Sequence, residues 1–134
     1  MLIPTIHFNG NCNEVIKFYK QAIDAEVQTI AYAKDAPPEV SAEMPPNFVM
    51  FSEVKIFSTT VSLTDGCENP PTENNHTFMV MLETKEDVIS AFEKLSIGGK
   101  VHDIPQEVFW ANLWCNFTDK FGVNWQIMTR SMPG

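Results

Sequence analysis

Gln106-Glu107-Val108-Phe109-Trp110 is the stretch of this sequence best equipped for chemistry. Trp110 and Trp114, four residues apart, can build an aromatic wall, with an amide from Gln106 and a carboxylate from Glu107 beside it. A carboxylate packed against aromatic rings loses solvation, which raises its pKa and suits it to acid/base work. The plainer reading is a tryptophan of the core or of a dimer interface beside a solvated glutamate. His7, His76 and His102 can be recruited as bases, the use to which imidazole is commonly put, but their spacing forms no metal-binding pattern, and strand edges are their plainer place. Cys12, Cys67 and Cys115 are odd in number, far apart and without a CxxC pair. They read as reduced, partly buried thiols rather than a disulfide framework or metal site. Met79, Met81 and Met128 either fill core gaps or give a ligand an adaptable wall. No Gly-rich phosphate loop, GxSxG motif or recognisable Cys/His pairing occurs.

The chain around these residues has 134 residues, 44% of them hydrophobic, which suits one ordinary domain with a real core. Nine Lys and Arg against 17 Asp and Glu leave a net charge of -8, and the single arginine, Arg130, stands near the end. A nucleic-acid partner needs a basic stripe to meet phosphates, so that class is excluded. No apolar run is long enough for a transmembrane helix, and MLIPTIHFNG lacks the basic-then-apolar order of a secretory signal. The expectation is a cytoplasmic domain that binds neither nucleic acid nor membrane.

Two helices are legible from their caps and stripes. Asn11 with Glu14 three positions on has the form of a capping box, and Val15, Phe18, Tyr19, Ala22 and Ile23 follow at helical spacing. Thr84 with Asp87 repeats the signal, followed by Val88, Ala91, Phe92 and Leu95, and Gly98-Gly99 ends the helix. Strands are expected at 2–8, 26–33, 48–57, 60–64, 77–82, 100–104, 111–117 and 123–129, all rich in β-branched or aromatic residues. Pro37, Pro38, Pro45 and Pro46 make 36–47 a loop, and Pro70-Pro71 marks a linker at 69–75. The order is thus β-helix-β-β-β, written twice: module one at 1–68, module two at 76–134. Alternation sorts the faces. Val61 and Leu63 in the first module, and Val123, Trp125 and Ile127 in the second, form rows for the helices to cover. Thr60, Ser62 and Thr64, and Asn124, Gln126 and Met128, form mixed rows that suit the wall of a small-molecule cleft.

Phe8-Asn9-Gly10-Asn11-Cys12 followed by Phe18-Tyr19, the Gln106–Trp110 run, and Thr118-Asp119-Lys120-Phe121-Gly122-Val123-Asn124-Trp125 resemble the PhnB-like family. That family, often labelled 3-demethylubiquinone methyltransferase-like, belongs to the vicinal-oxygen-chelate superfamily with glyoxalase I, bleomycin-resistance proteins and extradiol dioxygenases. The resemblance implies an α+β fold of two paired βαβββ modules forming a cup-shaped mixed sheet, usually in a homodimer. It also implies a divalent metal held by residues of the first, fourth, fifth and eighth strands. Aligned on the Phe18-Tyr19 helix, those positions fall on Pro4, Ser62, Thr77 and Gln126. They offer neither carboxylate nor imidazole, so tight binding of a divalent cation is not expected. A slip of one would bring His76 to the third position, and His7, on the strand face opposite Pro4, is expected to point to the helix or the rim. Methyl transfer would need a nucleotide-cofactor fold, which this pattern does not supply.

The sequence therefore points to a small-molecule-binding protein without a resident metal or other cofactor. Its ligand would touch Phe8, Ser62, Thr77, Gln106, Glu107, Trp110, Trp114 and Gln126. One alternative is a metal-dependent lyase or isomerase like glyoxalase I, with ligands at other positions. A second is a dimerisation module whose cup is vestigial.

Overall fold

The computed structural model describes residues 1–66 and 74–131. Cys67 and most of the expected linker lie outside the described residues. The chain divides into two compact units, Met1–Glu73 and Asn74–Gly134.

The first unit runs β1 (Thr5–His7), α1 (Cys12–Ile23), β2 (Glu26–Tyr32), a 3-10 turn (Ala33–Asp35), α2 (Pro38–Ser41), β3 (Val49–Ile56) and β4 (Thr59–Thr64). Its sheet has the order β1-β4-β3-β2, with β1 and β4 parallel and the other neighbours antiparallel. The second unit runs β5 (Phe78–Leu82), α3 (Lys85–Leu95), β6 (Lys100–Val108), β7 (Ala111–Thr118) and β8 (Asn124–Thr129). It repeats the arrangement as β5-β8-β7-β6, again with the outer pair β5 and β8 parallel. Each unit is thus a βαβββ module of an α+β fold. A parallel pair needs a crossover, and in both units the helix lies within it.

Helices and sheets meet as the alternation requires. In β3, Ser52, Val54 and Ile56 are buried while Phe51 and Lys55 are exposed. The register places Val54 beside Val61 of β4, so α1 covers the face carrying Val54, Val61 and Leu63. Buried on the helix are Cys12, Val15, Ile16 and Tyr19. The stripe centres on Ile16 rather than Phe18, a small rotation from the expected one. In the second unit, Phe92 of α3 meets Phe117 of β7 edge to face at 5.6 Å. Phe117 pairs with Trp125, and Cys115 with Ile127, so these form the row beneath α3.

Three local expectations differ from the fold. The 36–47 loop contains one helical turn, α2, started by Pro38 at a position where its missing N–H costs nothing. β6 extends to Val108 rather than stopping at residue 104, passing through Pro105. A proline is tolerated there because β6 is a sheet edge. Its register with β7 shifts between Val101 and Asp103, between Asp103 and Gln106, and between Gln106 and Val108. The third difference is the cap of α1. Asn11 makes no side-chain cap. Instead Asp65, just past β4, accepts from Gly10 N at 2.8 Å and Cys12 N at 3.0 Å through Oδ1, and from Val49 N at 3.0 Å through Oδ2. Thr84 caps α3 as expected, accepting from Asp87 N at 3.0 Å.

Cys12 and Cys115 are free, buried thiols. Burial, reinforced by the nearby Asp65 carboxylate, pushes the Cys12 pKa from the ordinary 9.0 up to about 12. Burial pushes that of Cys115 up to about 11. The unfolded chain gives up these protons near pH 9 while the folded one keeps them, so their contribution to stability is complete below pH 9 and is lost as pH rises to about 11 for Cys115 and about 12 for Cys12.

Two measurements follow. Asp65→Ala strands three backbone donors and is expected to cost about 3–5 kcal/mol in urea unfolding. Glu14→Ala, at a capping box that does not form, is expected to change stability by less than about 0.5 kcal/mol. A thiol reagent at pH 8 is expected to leave Cys12 and Cys115 unmodified in native protein and to label both in urea, as read by peptide mass mapping.

Candidate functional site

The second unit gathers most of the residues the sequence singled out. Away from α3, its sheet presents Trp114, Asn116 and Thr118 of β7 beside Met128, Gln126 and Asn124 of β8. Met79 and Met81 of β5 continue the face next to Gln126 and Met128, and they are 59% and 43% exposed. On the other side Gln106 of β6 pairs with Trp114, and Asp103 with Asn116. Phe109 and Trp110 form the turn between β6 and β7. From the end of that turn Trp110 packs on Trp114, four residues further along the same arm of the hairpin. Their rings lie 5.5 Å apart at 74°, and Phe109 adds a third ring 4.8 Å from Trp110 at 85°. Edge-to-face contacts of this kind are the favoured geometry of aromatic pairs. The wall stays partly open, with Trp110 39% and Phe109 83% exposed.

Polar groups are fixed along this wall. Trp114 Nε1 donates to Gln126 Oε1 at 3.1 Å, and Asn116 Nδ2 donates to Asp103 Oδ2 at 3.3 Å. Gln106 is exposed, its Nε2 donating to Ile104 O at 2.9 Å. Glu107 is also exposed. Thr77 precedes β5 and is exposed, and the residue level with Gln126 is Met79. His76 is exposed, and its carbonyl accepts from Asn124 Nδ2. His102 is likewise exposed, with Nε2 2.9 Å from Thr118 Oγ1.

In the first unit the register revises the alignment drawn from the helix. Thr5, not Pro4, pairs with Ser62, and His7 pairs with Thr64. His7 therefore shares the face of Ser62 and Thr64, turned away from α1, instead of pointing towards the helix. Its Nδ1 is buried without a hydrogen-bond partner. Ser62 is buried. Phe8 continues the row of Ile6 and Leu63, and its N–H donates to Thr64 O at 2.8 Å. Phe8 and Ser62 thus stand on opposite faces of one sheet.

The superfamily's metal can be tested against these side chains. The corrected register puts Thr5 beside Ser62 in one unit and Met79 beside Gln126 in the other. Neither the two hydroxyls of the first pair nor the thioether and neutral amide of the second suit a divalent cation that takes imidazole, thiolate or carboxylate. Among the described residues no group of three or more His, Cys, Asp or Glu could hold a metal ion. No described helix is long and apolar enough to cross a membrane.

Met79 and Met81, read from the sequence as either core filling or an adaptable wall, lie exposed on this face. Asn116 and Asp103 are not singled out by the sequence. A signal is present for Asn116, which lies two residues beyond Trp114 in the same strand, whereas Asp103 depends on strand register.

Comparison with known proteins gives relatives that match almost end to end. Protein YjdN of Escherichia coli is 28% identical over 94% of this chain and 92% of its own length. The PhnB protein of Bacillus cereus superposes with a TM-score of 0.78 at 20% identity, covering 96% of this chain and 98% of that one. Protein PA1353 of Pseudomonas aeruginosa gives 0.81 at 25% identity, covering 96% of each. The family model described as 3-demethylubiquinone-9 3-methyltransferase spans residues 1–128, and the chain belongs to that family, a PhnB-like branch of the vicinal-oxygen-chelate superfamily.

Proposed function

We propose that this protein binds a small, flat, largely apolar molecule against the aromatic wall of its second unit, without a resident metal. The observation that carries the reading is the partly open Phe109–Trp110–Trp114 stack with the amides of Gln106 and Gln126 along it. An apolar surface with a few fixed polar groups is the usual composition of a small-molecule site. Trp110 supplies most of the contact, Trp114 backs it, and Gln106 and Gln126 orient the ligand. Glu107 and Thr77 stand at the margin. Phe8 and Ser62 belong to the first unit, where Ser62, Thr64 and His7 make a smaller polar face of their own.

The family's descriptive name refers to methyl transfer. That chemistry needs a site for a methyl donor, commonly built on a Gly-rich turn and a helix N-terminus. Here Asp65 already takes the amide of Cys12, the first residue of α1, and that of Gly10 in the turn before it, so binding without methyl transfer is the better reading. We also propose that the protein acts as a homodimer in the cytoplasm. Exposed Val101, Ile104 and Phe109 offer apolar surface for association, and free Cys12 and Cys115 suit a reducing compartment.

A thermal-shift screen of planar aromatic compounds tests the central claim, since a ligand of the native state raises Tm. Hits are expected, and Trp110→Ala is expected to weaken them at least tenfold, because truncating an aromatic anchor costs about 2 kcal/mol or more. No stabilising compound in a broad screen would favour a vestigial site. Elemental analysis of protein purified without chelator is expected to give substoichiometric metal, and one Zn, Ni, Mn or Fe per chain would overturn the metal-free reading. Light scattering is expected to give twice the 15.2 kDa chain mass, and a monomer at micromolar concentration would remove the homodimer.

A further inference from the structure

The contact between Trp114 and Gln126 sets the polarity of the wall as well as its shape. An indole N–H can donate and cannot accept. It therefore takes the oxygen of the Gln126 carboxamide, at 3.1 Å, and leaves the amide in one of its two orientations. Gln126 Nε2 is turned elsewhere and has no hydrogen-bond partner among the described residues. Its neighbours across the ladder are weaker rivals as donors. Asn116, level with Gln126 on β7, gives one of its two Nδ2 hydrogens to Asp103, whose carboxylate holds that amide at 3.3 Å. Met79, level on β5, carries only a thioether.

We propose that Gln126 is a specificity-determining donor, so that the second unit selects a flat apolar molecule bearing an oxygen acceptor, a carbonyl or a carboxylate. The same skeleton without that oxygen, or with an ammonium in its place, binds less well. Trp114 acts as a positioning residue for Gln126 in addition to forming the wall. Aromatic rings alone attract cations, and the locked amide opposes this by turning N–H groups towards the ligand. The proposal rests on the wall being the binding site, and the experiment separates the failure of one from the failure of the other.

The probes are 1-indanone, indane-1-carboxylate, indane and protonated 1-aminoindane, which share a skeleton and differ at one substituent. Binding is read by fluorine NMR of the full chain labelled with fluorotryptophan, the Trp114 signal being the one lost in Trp114→Phe. The ketone or the carboxylate is expected to bind about tenfold more tightly than indane, the ratio one hydrogen bond supplies, and the ammonium more weakly than either. Which of the two acceptors binds better tells a neutral carbonyl ligand from an acid. In Gln126→Leu the preference is expected to vanish while indane still binds, and in Gln126→Glu, which only accepts, it is expected to turn towards the ammonium. Trp114→Phe keeps a ring but frees the amide, and is expected to shrink the preference as read on Trp110. Equal binding of indane and 1-indanone, or a preference for the ammonium in the unmutated chain, overturns the proposal and leaves the binding site standing. No shift of Trp110 or Trp114 with any probe overturns both.

Discussion

The first unit depends on a single buried carboxylate. Asp65 closes the end of β4 by accepting backbone N–H groups from the turn before α1, from the first residue of α1 and from the start of β3. Charge-assisted bonds of this kind are stronger than neutral ones, and a buried acid is tolerated only when its oxygens are so satisfied. Three segments distant in sequence are thereby set at one corner, which fixes where α1 starts and which sheet face it covers. Asp119 does related work in the second unit. Its carboxylate accepts from Phe121 N, Val123 N and the indole of the fully buried Trp125, tying the turn after β7 to the row beneath α3. With that row held down, Trp114 and Gln126 are left on the opposite face.

Much of this was legible in the sequence because it repeats at short range. Helix spacing after Asn11 and Thr84, and alternation in 60–64 and 123–129, assign elements and faces from neighbouring residues alone. What escaped depends on long-range partners. Asp65 reads as an ordinary turn residue beside Gly66, since its acceptors' partners lie 55, 53 and 16 positions away. Counting back from the helix puts Pro4 level with Ser62, but the turn at 8–11 determines the offset, and Thr5 occupies the place. A shift of one residue exchanges the faces, which is why the count puts His7 towards the helix or the rim rather than on the face of Ser62 and Thr64. The Trp110 and Trp114 pairing was legible for a simple reason: residues an even number apart along an extended segment share a face, and two indoles are large enough to meet across it.

Oxygen and nitrogen groups line the open face of the second unit, and their bonds run in pairs along it: Trp114 Nε1 to Gln126 Oε1, Asn116 Nδ2 to Asp103 Oδ2, Thr118 Oγ1 to Asn124 Oδ1. A ligand cage for a cation requires acceptors that converge on a point. These groups instead run along the sheet in donor and acceptor pairs, and among the described residues they do not converge on a point.

The irregular register of β6 has a consequence for behaviour in a crowded cell. A nine-residue edge strand with exposed Val101 and Ile104 would ordinarily be a template on which another chain's strand could grow. The three register breaks and Pro105 interrupt the row of hydrogen-bonding groups that such growth needs. The same kinks let the strand carry Gln106 to the wall while denying a stranger a continuous ladder. The strand can be sticky through its side chains without seeding fibrils through its backbone.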